Sequence, residues 1–106
     1  MSQSDRSVEE MLAQARADYT ASLVTKADEL GELSARGAWV ELRRAAHRLH
    51  GSAGAYGFGE VSAAAGALED ALVEAGRTLD EAVRASVVGR VRAVVDRIRS
   101  ALAGHA

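Results

Sequence analysis

Apolar residues recur along this chain at intervals of three and four, the spacing that gathers them on one face of an α-helix. The pattern is plainest where Trp39, Leu42, Ala46, Leu49 and Ala53 follow one another 3, 4, 3 and 4 residues apart. Upstream, Val8, Met11, Leu12 and Ala15 run in phase with Tyr19, Leu23, Ala27, Leu30 and Leu33. Downstream, Val61, Ala65, Leu68 and Leu72 form a third stripe, and Leu79, Val83, Val87, Val91, Val94, Ile98 and Leu102 a fourth. Four or five helical segments follow from these stripes.

Their ends are marked by caps and glycines. Ser7 and Glu10 have the spacing of a capping box, which predicts a helix start near Val8. Gly37 suits the position just past a helix C-terminus. No proline or glycine interrupts the first segment before Gly31, so the pattern allows either one long helix or a short one followed by a kink. The second helix is expected from about Ala38 to Ala55, with Gly57 and Gly59 forming the turn after it. The third ends at Gly76, and a second capping box, Thr78 with Glu81, opens the last. Short glycine turns between helices of similar length make antiparallel neighbours. The expected fold is all-α: an antiparallel up-down four-helix bundle, with a short extra N-terminal helix or helix extension, forming one domain over residues 1–106.

Composition narrows the classes of function. The 106 residues carry a net charge of −2, against the basic surface that nucleic-acid binding normally requires. The absence of cysteine excludes disulfides and thiolate chemistry. No stretch approaches the roughly 20 apolar residues that span a bilayer, and the polar start does not read as a secretory signal. A soluble cytoplasmic domain is the expectation.

Candidate chemistry centres on His47. It lies one residue off the Leu42–Ala46–Leu49 stripe, so its imidazole is expected to point outward beside the core. Its helical neighbours are Arg43, Arg44, His50 and Gly51, with Gly54 one turn further on. An exposed imidazole with cations on one side and absent side chains on the other suits an anionic visitor. The hairpin centred on Phe58 adds a partner. His47 precedes position 58 by eleven residues and Glu69 follows it by eleven, so an antiparallel pair puts both at one height. A carboxylate there can accept a hydrogen bond from imidazole Nδ1–H, fixing the tautomer and leaving the Nε2 lone pair free. Glu69 is equally readable as one of four acids on a solvated face, with Glu60, Asp70 and Glu74.

The run from Tyr19 to Leu72 resembles a histidine-containing phosphotransfer (HPt) domain. The resemblance rests on Trp39 and Leu42, the Ala46–His47 pair, Leu49, Gly51, Ser52, Gly57, and the Leu68–Glu69 pair. It implies phosphorylation of His47 at Nε2, with Glu69 orienting the ring and Gly51 leaving room for phosphate and partner. Arg43, Arg44, His50 and Gly54 would surround the phosphate and the docked receiver. The implied partners are response-regulator receiver domains or a hybrid sensor kinase. They supply the aspartyl phosphate and its Mg²⁺, so the chain itself needs no cofactor and acts as a monomer. His50 departs from the lysine usual at its position. A histidine offers phosphate a full charge only when protonated, and Arg43 and Arg44 stand one turn away to compensate. No nucleotide-binding loop is present, so a phosphoryl carrier is implied and not a kinase.

Rival readings are weaker. His47 and His50 could begin a metal site with His105, yet no acid lies within a turn of His47 on its own helix, and the arginines oppose a dication. Arg43, Arg44 and Arg48 make a poor nucleic-acid footprint without clustered aromatics. A non-catalytic structural or dimerising bundle would leave His47 an incidental surface residue. Gly51 and Gly54 speak against it, because each mid-helix glycine costs about 1 kcal/mol relative to alanine. Gly66 is also mid-helix, and the sequence offers no reason for it.

Overall fold

The computed structural model describes residues 3–76 and 80–104, with side chains from residue 7 onward. Among them are four helices and no strand: α1 (Gln3–Ala35), α2 (Trp39–Ala55), α3 (Gly59–Ala75) and α4 (Glu81–Gly104). Each helix packs on the next, and α1 closes the ring against α4. The fold is an antiparallel up-down four-helix bundle. No described helix is long and apolar enough to cross a membrane.

Both tight turns use the same device. Gly37 (φ +67°) donates its N–H to Ser34 O, while Ala38 N–H reaches back to Leu33 O. Gly57 (φ +87°) does the same to Gly54 O, and Phe58 N–H to Ala53 O. These are Schellman endings, whose left-handed residue glycine adopts without steric penalty. Gly59, expected within the turn, is instead the first residue of α3. α4 begins where Asp80 Oδ1 accepts Val83 N–H at 2.9 Å. Leu79 and Thr78 of the Thr78–Glu81 box lie outside the described residues, and the described cap is Asp80.

α1 settles one open question and corrects one expectation. It is a single helix of 33 residues that runs through Gly31. It begins at Gln3, not near Val8, so the Ser7–Glu10 pair lies inside it. No glycine or proline precedes Ser7 to stop the backbone ladder. At 1.5 Å per residue α1 spans about 50 Å, whereas α2 and α3, 17 residues each, span about 25 Å. The excess has little to pack against. Val8, Met11 and Leu12, expected inside, are 54%, 68% and 57% exposed, and the core stripe of α1 begins in earnest at Tyr19.

From there the expected core holds. Leu23, Leu30, Leu42, Leu68, Val87 and Ile98 are among its fully buried side chains. Trp39 is half-buried, packed against the core with its indole beside Gly37. At the α2–α3 turn, Tyr19 stacks on Tyr56 with ring centroids 4.3 Å apart and meets Phe58 at 5.9 Å.

Candidate functional site

His47 projects from the middle of α2, outside the buried Leu42–Ala46–Leu49 stripe, and its side chain is 71% exposed. Glu69 projects from α3 beside the fully buried Leu68, and its side chain is only 20% exposed. His47 Nδ1 and Glu69 Oε2 are 2.6 Å apart. An ionised carboxylate can only accept, so Nδ1 carries the hydrogen and Nε2 presents its lone pair to solvent when the ring is neutral. The equal spacing of the two residues about Phe58 has this physical outcome: the antiparallel hairpin puts an anchored carboxylate behind an exposed ring.

An open groove of about 650 Å³ runs from this pair between the N-terminal half of α2 and the C-terminal half of α3. Arg43 and Arg44 line it with His47, opposite Leu72, Val73 and Gly76. Val40 and Val73 are 62% and 53% exposed on its walls, an apolar contribution that the stripes did not announce because both residues lie off them. Arg48 turns partly toward α1, where its Nη2 is 3.8 Å from Glu29 Oε1. At that distance, with both side chains exposed, the pair contributes little.

On the other side of His47 lie Gly51, His50 and Gly54, all exposed. Gly51 is open: a Cβ there would meet nothing within 4 Å. His50 is exposed, with its Nδ1 engaged by α3. Its Nδ1 lies 2.8 Å from Ser62 O and 3.2 Å from Ser62 Oγ, while Ser62 Oγ donates to His50 O at 2.6 Å. Gly54 is exposed on its outer side, yet a Cβ there would sit 3.2 Å from Ser62 Oγ. Gly66 now has a reason. A Cβ at that position would come within 2.9 Å of His50 Nδ1 and 3.0 Å of Cε1, so only glycine leaves space for the ring. Ser62 is the residue that sequence reasoning passed over; Gly66 was the available signal.

Ser52, next to Gly51, faces the opposite way and hydrogen-bonds Tyr19 Oη at 2.8 Å. Burial raises the Tyr19 phenol above its ordinary value, the Ser52 hydrogen bond partly offsets this, and neighbouring Tyr56 adds to the rise. Among the described residues no three histidine or acidic side chains converge as metal ligands. His105 lies outside the described residues.

A family model described as the Hpt domain matches residues 6–101. No curated protein and no solved structure matches the chain.

Proposed function

The chain belongs to the Hpt domain family, whose members serve histidine phosphotransfer, and we propose that it carries a phosphoryl group on His47 Nε2, taken from a receiver-domain aspartate and passed to another receiver. The observation that carries this reading is the 2.6 Å contact between Glu69 Oε2 and Nδ1 of an imidazole left 71% exposed. The Nε2 lone pair attacks the phosphorus of the aspartyl phosphate in line. The N–P bond forms as the bond from phosphorus to the aspartate oxygen breaks, and the aspartate leaves as a carboxylate. The ring becomes cationic during attack, and Glu69, already accepting from Nδ1–H, stabilises that charge without taking the proton. The receiver's Mg²⁺ screens the phosphoryl oxygens. Positioning and charge neutralisation supply most of the acceleration in such transfers.

Arg43 and Arg44 extend that neutralisation along the groove, and the open backbone at Gly51 admits the visiting loops. The chain draws its phosphoryl groups from receivers or a hybrid kinase and has no ATP chemistry of its own. Incubation with a phosphorylated receiver and Mg²⁺, beside His47→Gln and read as intact mass, tests this. The expected result is one acid-labile, base-stable phosphoryl group on the wild-type chain and none on the variant. A folded wild-type chain that gains nothing from any receiver would leave a structural bundle as the better account.

A further inference from the structure

Two facing stripes run along the outer seam of α2 and α3. On α2 they are His47, His50 and Gly54; on α3, in antiparallel order, Glu69, Gly66 and Ser62. The first rung is the His47–Glu69 hydrogen bond. The next is a reciprocal clamp, in which each side chain bonds the other residue's main-chain carbonyl. Ser62 Oγ donates to His50 O, and His50 Nδ1 donates to Ser62 O, which can only accept. Carbonyls inside a helix already accept from the residue four positions on, so these are their second lone pairs. Gly54 and Gly66 leave the room that the Ser62 hydroxyl and the His50 ring occupy, and each glycine weakens its own helix relative to alanine.

From this geometry we infer that His50 is a positioning residue for His47: through Nδ1 and Ser62 it fixes the separation and register of α2 against α3 at which Glu69 reaches the His47 ring. The inference rests on His47 as the phosphoryl carrier. It gives His50 a role through Nδ1, turned to the neighbouring helix, and not through Nε2 as a substitute for the usual lysine against phosphate. His50 is one helical turn from His47, and Gly66 is three residues from Glu69, so a shift at the clamp is transmitted over a single turn on both helices.

Two amides separate the two nitrogens. Asparagine places its N–H₂ near the position of imidazole Nδ1, and glutamine places its own near Nε2. The test compares the wild-type chain with His50→Asn, His50→Gln and Gly66→Ala in acceptance from a phosphorylated receiver. In parallel, imidazole nitrogen NMR reads the His47 tautomer, and thermal melting confirms folding. The clamp predicts that His50→Asn stays within about threefold of wild type while His50→Gln and Gly66→Ala slow by roughly tenfold or more, as misplacement of reacting groups does. It also predicts His47 held as the Nδ1–H tautomer in wild type and His50→Asn, and exchanging between tautomers in the other two. Retention by His50→Gln with loss in His50→Asn would overturn the proposal in favour of an Nε2 contact. Equal rates and tautomers in all four chains would overturn it outright. If no receiver phosphorylates even the wild-type chain, only the phosphotransfer reading falls, and the tautomer series decides the clamp alone.

Discussion

The α1–α4 seam and the α2–α3 seam are both antiparallel helix contacts, yet they are built from different materials. The first is joined by branched aliphatic side chains, with Leu23, Leu30, Val87, Val94 and Ile98 at 0–1% exposure. Among the described residues no side-chain hydrogen bond crosses it. The second buries leucines and alanines on its inner side and closes its outer side with glycines, Ser62 and four side-chain hydrogen bonds across two rungs. Apolar burial is strong but non-directional, so it holds helices together without specifying where one polar atom meets another. Hydrogen bonds add modest net stability and strict geometry. One seam supplies stability and the other supplies position, and the exposed histidine stands on the second.

Ile98→Ala presses hardest on that division. Removing a fully buried isoleucine from the aliphatic seam is expected to cost about 2–5 kcal/mol, read as a lower denaturation midpoint in urea. Phosphoryl acceptance per folded molecule should stay at the wild-type value. A lowered rate in the folded fraction would mean that the far seam also positions His47.

The converse change is Glu69→Ala. It leaves the aliphatic seam alone, and an ion pair or hydrogen bond to a ring this exposed contributes about 0–1 kcal/mol to stability. Acceptance on His47 should nonetheless fall by roughly tenfold, the equivalent of about 1.4 kcal/mol lost from the transition state. Glu69→Gln, whose carbonyl oxygen still accepts from Nδ1–H, should recover most of it. Equal loss in both variants would assign the effect to the negative charge and not to ring orientation.

The aromatic end of the bundle lies between these extremes, because Tyr19 is both packed and hydrogen-bonded. Tyr19→Phe keeps the stack on Tyr56 and removes the bond to Ser52, an expected loss of about 1 kcal/mol. The phenol's value is raised in the folded state, chiefly by burial. Folding therefore favours the neutral form. That contribution is complete below pH ~10, the ordinary tyrosine value, and is lost as pH climbs through the raised one. Wild type should lose stability above that point faster than Tyr19→Phe, and parallel alkaline denaturation curves would contradict the burial argument.

The two seams were unequally legible in the sequence. Helical periodicity located the aliphatic core almost residue by residue from Tyr19 to Ile98, since burial depends on which face a residue occupies. The His47–Glu69 pairing was also within reach, because a tight hairpin turns equal sequence distance into equal height. The clamp was not. His50 was read only for what it could offer a phosphate, because stripe position says nothing about rotamer, and Ser62 drew no reading, because a serine on a helix surface is unremarkable until its neighbour across the seam is known. Gly66 and Gly54 were visible as mid-helix oddities, but a glycine announces only that something comes close, and naming it takes the partner helix. The capping signals misled at Ser7 for a related reason: a cap motif permits a helix to start and does not compel it.

The smallest expected effect is at the N-terminal part of α1, where periodicity promised a core and the bundle supplies none. Residues 7–14 are all exposed, and the apolar triplet Val8, Met11 and Leu12 continues the phase of a stripe that has run past the ends of α2 and α3. Replacing the three with Gln, Gln and Lys removes no buried contact and substitutes residues of comparable helix propensity. Stability should change by no more than about 0.5 kcal/mol, the usual range for surface changes, and phosphoryl acceptance should not change. Periodicity shows what a segment could bury, and only a facing surface determines whether it does. A loss of several kcal/mol that grows with protein concentration would show that another copy of the chain provides that surface in solution, and would add a third kind of seam to the molecule.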